Sequence, residues 1–362
     1  MRFHWFLPTN GDSRQLVGGG HGLTREHGHQ GGFREPDIEY LAQIARSAEQ
    51  LGFEAVLTPT GTWCEDAWLV TAALTRETER LKFLVAFRPG FVSPTLAAQM
   101  AATYQRLSRG RLLLNVVTGG EPAEQRRFGD HLSHDDRYAR TAEFLQIVRG
   151  AWSGTPYDFK GEHYHVDGAT VSIPPDLLPQ IYFGGSSTAA GPVAARHVDV
   201  YLTWGEPPEQ VAAKVAWMRE LAAEQGRELR FGIRLHVISR DTEAAAWAEA
   251  ERLLEALDPA DIARARQVLG RSESVGQQRM LNLHADFDGG GARSLEIHPG
   301  LWAGVGLVRG GAGTALVGSH ARVAELVEEY AAIGIEEFIL SGYPHLEEAY
   351  WFGEGVLPRF AG

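Results

Sequence analysis

An arginine and a histidine lie two residues apart in the segment 230–237, which has the sequence RFGIRLHV. Apolar residues alternate there with other types, and alternation along a strand turns Arg234 and His236 to the same face. If the apolar face contacts surrounding helices, both side chains point into the interior of the fold. A buried guanidinium costs several kcal/mol unless it is paired. Arg234 is therefore predicted either to meet an acidic side chain or to belong to a site for an anionic ligand.

A second arginine, Arg309, lies in the glycine-rich segment 308–314, which has the sequence VRGGAGT. Glycine permits positive φ angles and large backbone movement. The segment is interpreted as either a flexible solvent loop or a hinge that closes Arg309 over a bound anion.

The sequence GGSS at 184–187 stands between a strand pattern and a helix pattern that covers 188–197. Backbone N–H groups and hydroxyls at a helix N-terminus can bind phosphate. An ordinary turn in which a serine caps the helix would use the same residues. Neither a Walker-type phosphate loop nor a dinucleotide-binding GxGxxG motif follows a strand, so sites for nucleoside triphosphates and dinucleotides lack their signatures.

Cys64 is the single cysteine, which excludes an intramolecular disulfide and is typical of a reducing compartment. Glu65 and Asp66 follow it and would oppose formation of a thiolate. We therefore interpret Cys64 as a packing residue or a hydrogen-bonding contact of a ligand, and not as a covalent nucleophile. The 14 histidines do not converge on the ends of several strands, so no metal site is predicted.

The strands and helices of the fold must bring these residues together. Short β-branched runs alternate with amphipathic stretches, and we predict eight strands, each followed by a helix. The predicted strands are residues 3–7, 54–57, 82–87, 112–117, 180–183, 199–203, 229–238 and 336–340. The predicted helices include residues 37–51, 93–107, 136–152, 207–225 and 321–332. The pattern favours an α/β fold of the (β/α)8 TIM-barrel type, although an open doubly wound sheet would show the same alternation.

Residues 1–362 are predicted to be a single barrel domain with insertions near 11–35, 155–168 and 241–313. The second insertion has the pattern of a small hairpin. The third begins with extra helices at 241–270 and continues as a long irregular stretch. Loops of this length in a compact domain are usually functional or mobile.

The chemistry of a barrel lies at the carboxyl ends of its strands. Every predicted strand delivers polar or aromatic groups to that rim: Thr9, Asn10, Thr58, Thr60, Arg88, Asn115, Thr118, Ser186, Ser187, Trp204, His236, Ser341 and Tyr343. Chance would scatter such residues over both ends of the barrel, so a site at this rim is expected.

The overall charge excludes some classes of partner. Acidic residues outnumber basic ones 46 to 34, which gives a net charge of -12 and argues against nucleic acid or an anionic membrane. The composition, 44% hydrophobic and 22% charged, is that of a globular protein. The start MRFHWFLPTN lacks the pattern of a signal peptide, and no apolar run reaches the length of about 18 residues that suggests a membrane span. A cytoplasmic protein is expected.

Ten strings in order along the chain resemble the flavin-dependent alkanesulfonate monooxygenases of the bacterial-luciferase-like superfamily. They are FLPTNGD (6–12), CEDAWLV (64–70), LKFLVAFRPG (81–90), RLLLNVVTGG (111–120), YFGGSS (182–187), YLTWGEPPE (201–209), RFGIRLHVI (230–238), SVGQQRM (274–280), LWAGVGLVRGGAGTALVG (301–318) and SGYPHLEEAY (341–350). The resemblance implies a (β/α)8 barrel and a two-component system in which an NAD(P)H:FMN reductase supplies reduced FMN. With dioxygen and a small anionic sulfonate, the reaction would give sulfite and an aldehyde. A homo-oligomer is also implied.

The resemblance assigns roles to particular residues. The catalytic group would be Cys64, Arg234, His236, Arg309 and Tyr343, with Trp204 lining the site. The flavin phosphate would lie near Ser186 and Ser187, with contributions from His134 and Tyr138. Asn115 and Thr118 would border the isoalloxazine ring. On a chain with a net charge of -12, clustered arginines would have to attract a sulfonate locally.

Some positions depart from the family pattern. Asn10 stands where related sequences have histidine, and Thr62 and Trp63 replace an Arg-Ser pair before Cys64. The loop 13–33 is longer, and the chain ends at Gly362 without the longer C-terminal tail of the family. These differences bear on the chain length and identity of the substrate more than on the type of reaction.

Two further functions are considered. A deazaflavin (coenzyme F420)-dependent oxidoreductase would keep the barrel, but it does not need paired arginines beneath a glycine loop. A non-catalytic flavin-binding protein is disfavoured because Cys64, Arg234, His236, Arg309 and Tyr343 are all present.

Overall fold

The structure is a computed structural model that describes residues 1–16 and 32–360. Its strands are β1 (Arg2–Phe6), β2 (Ala55–Thr58), β3 (Lys82–Phe87), β4 (Leu112–Val116), β5 (Tyr157–Lys160), β6 (His165–Ala169), β7 (Ile181–Gly184), β8 (Val200–Trp204), β9 (Arg230–Arg240), β10 (Glu296–His298), β11 (Leu301–Trp302), β12 (Ala315–Ser319) and β13 (Glu337–Ser341). Its helices are α1 (Ile38–Leu51), α2 (Ala67–Leu74), α3 (Pro94–Ser108), α4 (Pro122–Arg127), α5 (His134–Ala151), α6 (Ala190–His197), α7 (Pro208–Glu224), α8 (Glu243–Glu255), α9 (Pro259–Leu269), α10 (Val275–Asn282), α11 (His320–Ala332) and α12 (His345–Gly355).

Eight parallel strands form a closed barrel in the order β1-β2-β3-β4-β7-β8-β9-β13, with β13 pairing back to β1. The predicted (β/α)8 TIM barrel is confirmed, and each predicted strand overlaps one strand of the barrel. The alternation of side chains separates two apolar layers. Inside the barrel, Phe6, Leu57 and Leu84 belong to a buried cluster, while Phe3 and Trp5 pack against the outer helices.

Serine residues cap four helices, and two of these caps, at α3 and α5, lie at the starts of helices that the sequence predicts. The Ser93 side chain accepts a hydrogen bond from the Leu96 N–H, and Pro94 occupies the first helical position of α3. The Ser133 side chain does the same for Asp136 at the start of α5. Both residues satisfy N–H groups that a helix leaves free at its first turn.

The insertions take the predicted form in part. Strands β5 and β6 form the hairpin predicted at 155–168, and α8 and α9 are the extra helices after β9. The stretch 271–313 is more regular than predicted, because it contains α10, β10, β11 and two short 3-10 turns. Of the insertion at 11–35, residues 17–31 lie outside the described part of the chain.

Three strands of the main sheet, β10, β11 and β12, are absent from the sequence prediction. β12 pairs in parallel with the far half of β9, from His236 to Arg240. The other half of β9 pairs with β13, from Gly232 to His236. His236 therefore lies at the position along β9 where one pairing ends and the other begins, at the carboxyl end of the barrel. In the described residues, no helix is long and apolar enough to cross a membrane.

Candidate active site

The barrel interior contains polar groups at both ends, and among the described residues the buried charges at the amino end are paired. At the amino end, Glu337 is fully buried and accepts hydrogen bonds from Tyr182 at 2.8 Å and from Arg230. His4 Nε2 lies 3.0 Å from a Glu337 carboxylate oxygen. The acidic side chain inside the barrel thus pairs with Arg230 and not with Arg234.

Arg234 lies toward the carboxyl end and binds only uncharged groups. Its Nη2 donates to Ser341 Oγ at 2.7 Å, and its Nη1 donates to the Leu235 carbonyl oxygen. Burial, reinforced by the nearby Arg309, lowers the pKa of Arg234 to about 9. Of the two interpretations from sequence, this environment favours a site for an anion.

His236 holds Arg234 through Ser341. His236 Nε2 donates to the Ala312 carbonyl oxygen at 3.1 Å, because a carbonyl oxygen can only accept. Its Nδ1 then accepts from the Ser341 hydroxyl at 2.8 Å, and the same oxygen accepts from Arg234. Burial, Arg234 and Arg309 hold the pKa of His236 well below its ordinary value, so the ring is neutral. With both ring nitrogens engaged, His236 orients Arg234.

Arg309 lies beside Arg234 at the same aromatic ring. The guanidinium carbons of Arg234 and Arg309 are 4.8 Å and 5.4 Å from the centroid of Phe6. Arg309 is only 6% exposed. Among the residues that the structure describes, neither arginine forms an ion pair with a carboxylate. Two like charges therefore share an apolar position, and the described part of the chain supplies no carboxylate to pair with them.

The glycine-rich segment is packed against the barrel mouth and is not an exposed loop. Gly306 N–H donates to the Gly313 carbonyl oxygen at 2.8 Å. A Cβ atom on Gly313 would lie 2.7 Å from the Gly306 Cα, so the close approach of two backbones requires glycine there. Gly311 has a φ of +89°, which also favours glycine. This packing places Arg309 inside the site.

Tyr343 and His345 complete this cluster. The Tyr343 ring stacks on His236 with centroids 5.6 Å apart, and it contacts the His345 ring edge-on at 5.1 Å. Burial raises the pKa of Tyr343, while Arg309 and Arg234 oppose the rise. The Tyr343 hydroxyl therefore keeps its proton at neutral pH.

Sequence reasoning missed the pair formed by Asp12 and His345. His345 Nδ1 lies 2.9 Å from Asp12 Oδ1, and the Tyr40 hydroxyl donates to Asp12 Oδ2 at 2.5 Å. The other ring nitrogen, His345 Nε2, has no partner in the described part of the chain. Burial lowers the pKa of His345, and Asp12 opposes that shift. Both residues lie within strings that carry the resemblance, but no spacing in the sequence connects positions 12 and 345.

A cavity of about 220 Å³ opens beside Arg234. All the residues that the resemblance assigns to the cofactor line it, together with Trp204 and Arg234: Asn115, Thr118, His134, Tyr138, Ser186 and Ser187. Cys64, His236, Arg309 and Tyr343 are not among its lining residues. The structure thus brings the predicted cofactor residues to one cavity. Three of the predicted catalytic residues, His236, Arg309 and Tyr343, lie in a separate cluster near Phe6. Cys64 lies at the rim after β2.

The end of this cavity near α6 has the features of a phosphate site. The rings of His134 and Tyr138 lie 4.9 Å apart on α5, and both residues line the cavity together with Ser186 and Ser187. A Cβ atom on Gly185 would lie 2.8 Å from the Ala190 Cβ and 3.2 Å from the Tyr138 hydroxyl, so the turn needs glycine. Ser187 Oγ also accepts from the Ala190 N–H at 3.2 Å, although the residue at the N-cap position of α6 is Ala189, which has no capping side chain. These donors fit the phosphate of FMN.

Cys64 is held as a thiol. Burial raises its pKa to about 12, and Glu124 and Glu65 contribute to the rise. Its sulfur lies 3.6 Å from the Gly61 carbonyl oxygen. A neutral thiol cannot act as a covalent nucleophile, which agrees with the interpretation from sequence.

Comparisons with known proteins place this geometry in a family. A family model described as luciferase-like monooxygenase matches residues 1–337, from β1 to the start of β13. The long-chain alkane monooxygenase structure is 19% identical, with a TM-score of 0.78 over 99% of this chain and 91% of that chain. The EDTA monooxygenase of Chelativorans sp. BNC1 is 21% identical, with a TM-score of 0.75 over 99% and 93%.

A third similar structure contains a different cofactor. An F420-dependent secondary alcohol dehydrogenase in complex with an F420-acetone adduct is 17% identical, with a TM-score of 0.69 over 98% of each chain. At these identities the structures show a shared fold and leave substrate and cofactor open. The family match covers nearly the whole barrel and the cavity. The chain belongs to the luciferase-like monooxygenase family.

Proposed function

We propose that the protein is an FMNH2-dependent monooxygenase that cleaves the C–S bond of alkanesulfonates with dioxygen. One oxygen atom would enter the aldehyde product and the other would leave as water, with sulfite released and the flavin oxidised. The observation that carries this proposal is the pair of buried arginines, Arg234 and Arg309, beside the cavity lined by the residues that the resemblance assigns to FMN.

The charge of the arginine pair supports an anionic substrate. A second buried cation within the same apolar position raises the free energy of the free protein, and an anion between them would offset it. A sulfonate carries a permanent negative charge on three oxygens, enough to accept from both guanidinium groups. A neutral alkane, the substrate named for one similar structure, would leave both arginines uncompensated.

The cavity would bind FMN with its phosphate near Ser186 and Ser187 and its ring near Asn115 and Thr118. Reduced FMN, when bound, supplies the electrons that activate dioxygen. The protein would orient the ring, exclude water and hold the sulfonate beside it. Trp204 would form an apolar wall of the same cavity, since it lines it next to Arg234.

The remaining residues have supporting roles in the proposal. Ser341 and His236 fix the orientation of Arg234, and the packed glycine segment carries Arg309. Tyr343, whose ring stacks on that of His236, would donate a hydrogen bond from its hydroxyl to the bound anion. Cys64, as a neutral thiol that donates to the Gly61 carbonyl oxygen, would contact the ligand at the rim and form no covalent bond.

The proposal includes a separate NAD(P)H:FMN reductase as partner and a homo-oligomeric enzyme. The test combines the protein with such a reductase, NADPH, FMN and a panel of alkanesulfonates, sulfones, carboxylates and alkanes, and measures sulfite and aldehyde. We expect equal amounts of both products from one or more sulfonates and no oxidation of the neutral compounds. No sulfite from any sulfonate, together with tight binding of reduced FMN, would contradict the proposed reaction and indicate a flavin-binding protein.

A further inference from the structure

Two tryptophans line the candidate cavity from facing sides of the barrel. Trp63 follows β2, and Trp204 is the last residue of β8. In the closed order of the strands, β2 and β8 lie opposite each other. On β8, Val200 and Leu202 belong to the interior apolar cluster, and alternation turns Trp204 to the same face. The two tryptophans therefore bound the width of the cavity.

The turn that carries Trp63 is anchored from two sides. The Thr62 N–H donates to Glu124 Oε1 at 2.9 Å, which ties the turn to α4. The Glu65 N–H donates to the Thr9 carbonyl oxygen at 2.9 Å, which ties the same turn to the segment after β1. The backbone on each side of Trp63 is thus held by a neighbouring element of the barrel rim.

The indole ring of Trp63 packs on the backbone of its own turn. A Cβ atom on Gly61 would overlap Trp63 Nε1 and would lie 2.7 Å from Glu124 Oε1, so the ring uses space that only glycine leaves free. Arg88 holds Glu124 in place, since its Nη2 donates to Glu124 Oε2 at 2.6 Å. The close packing on Gly61 and the anchored turn make the ring a fixed part of the cavity wall.

In the described part of the chain, the other sides of the cavity are closed to an alkyl chain. The floor consists of buried side chains of the barrel interior: Leu57, Leu202 and Ile339. On the side of β8, α10 covers Trp204, because a Cβ atom on Gly276 would lie only 3.1 Å from Trp204 Cζ3. The side near β4 would hold the flavin ring. The side of Trp63 is the direction that remains for the tail of a substrate.

The arginine pair determines where that tail begins. Arg234 lines the cavity and is the register partner of Trp204 on the neighbouring strand. With the sulfonate group at Arg234 and Arg309, the carbon bonded to sulfur must face the flavin ring near Asn115, because the C–S bond is the one that is cleaved. The rest of the alkyl chain then extends toward Trp63.

We propose that Trp63 is a specificity-determining residue that makes the protein prefer short alkanesulfonates over long-chain ones. The inference rests on the proposed function, which supplies the sulfonate and the flavin. The cavity of about 220 Å³ must also take the flavin ring, so the remaining space suits a chain of about one to three carbons. A longer chain must displace the anchored indole ring or leave its further methylene groups in water.

The experiment measures the dissociation constants of ethanesulfonate and octanesulfonate by anaerobic calorimetry in the presence of reduced FMN. The wild-type protein should bind ethanesulfonate more tightly. Trp63→Ala opens room for several more methylene groups, and burying each one strengthens binding by about fourfold. We therefore expect the ratio of the two affinities to shift toward octanesulfonate by about tenfold or more. The affinity for reduced FMN and kcat/KM for both sulfonates are measured alongside.

Two further variants make the result specific. Trp63→Phe keeps a smaller aromatic ring, so the ratio should shift in the same direction by a smaller factor. It also tests the inference if Trp63→Ala does not fold. Trp351→Ala is the matched control, because Trp351 lies on α12, is partly exposed and does not line this cavity. Its ratio should equal that of the wild-type protein.

Three results would overturn the inference. They are tighter binding of octanesulfonate than of ethanesulfonate by the wild-type protein, an unchanged ratio in a folded Trp63 variant, and weaker binding of reduced FMN without a change in the ratio. The last result would place Trp63 against the cofactor. Each of them leaves the proposed function standing when the wild-type protein releases sulfite. The absence of sulfite from every sulfonate would overturn the proposed function, and the inference with it.

Discussion

Among single residues, Arg309 is the one whose replacement best distinguishes an effect on substrate binding from an effect on cofactor binding. It lies against Phe6 beside Arg234 and outside the wall of the proposed flavin cavity. Arg309→Ala is expected to lower kcat/KM for a sulfonate by about 10- to 100-fold, the size of a lost hydrogen bond to a charged group. The affinity for reduced FMN should stay unchanged, as measured by anaerobic fluorescence titration. A large loss of flavin affinity with intact sulfonate binding would instead place Arg309 on the cofactor.

The lowered pKa of Arg234 leads to a prediction on pH. The guanidinium binds an anion only in its protonated form, and burial together with Arg309 lowers its pKa to about 9. In a pH profile of kcat/KM, which reports on the free enzyme, activity should therefore fall as pH rises through about 9. Since Arg309 contributes to this shift, Arg309→Ala should move the decline to higher pH. A decline at the same pH in both proteins would show that another group causes it.

At the scale of elements, the segment from β11 to β12 determines where Arg309 lies. Gly313→Ala would bring a methyl group within 2.7 Å of the Gly306 Cα, and a backbone contact cannot be relieved by a side-chain rotation. We expect this variant to lose sulfonate turnover by about 10-fold or more, although Arg309 itself is retained.

Gly291→Ala is the control within the same insertion. There the nearest atom is a Glu251 carboxylate oxygen at 3.0 Å, on a side chain that can move. Its turnover should match the wild type, with both variants compared by sulfite release and by their melting temperatures. Unchanged turnover in Gly313→Ala would show that the packed form of the segment is not needed for the reaction.

The same elements show what the sequence can and cannot predict. Periodicity identified the barrel strands because each is a run of β-branched and apolar residues next to a helix pattern. β12 was missed because it follows an irregular stretch rich in glycine and itself contains Gly318. Its residues appear in the sequence as the end of a loop, and only the pairing with β9 makes them a strand.

For the site, the sequence identified residues that lie at strand ends and missed those that act through distant partners. Arg234 and His236 are two residues apart on one strand, so their shared face follows from alternation. Asp12 and His345 meet only because β1 and β13 are neighbours in the closed barrel. The anchoring of the turn that carries Trp63 likewise depends on the position of Glu124 on α4.

At the scale of the whole molecule, buried polar contacts at the amino end of the barrel stabilise the fold, whereas the candidate site lies at the carboxyl end. Glu337 at the amino end pairs with Arg230 and accepts a hydrogen bond from Tyr182. Glu337→Gln should lower the free energy of unfolding by about 3 kcal/mol at neutral pH, because it leaves a partly buried arginine without its carboxylate. Urea denaturation measures this change, and Glu336→Gln, an exposed neighbour, is the control.

The same contact has a predicted dependence on pH. His4, Arg230 and Tyr182 overcome the effect of burial and lower the pKa of Glu337 below its ordinary value of 4.5. The stabilisation is therefore fully present above pH 4.5 and is lost as pH falls through the lower pKa of the folded protein. The difference between Glu337→Gln and wild type should shrink over that acid range. A difference that stays constant with pH would contradict an ionised Glu337.

The central claim is that Arg234 and Arg309 form a site for an anion beside the flavin cavity. The most direct measurement compares the binding of an alkanesulfonate with that of an uncharged sulfone of the same chain length, by anaerobic calorimetry in the presence of reduced FMN. We predict that the sulfonate binds about 100-fold more tightly, and that the difference disappears when both arginines are replaced by methionine. Equal affinity of the wild-type protein for the two compounds would contradict the claim.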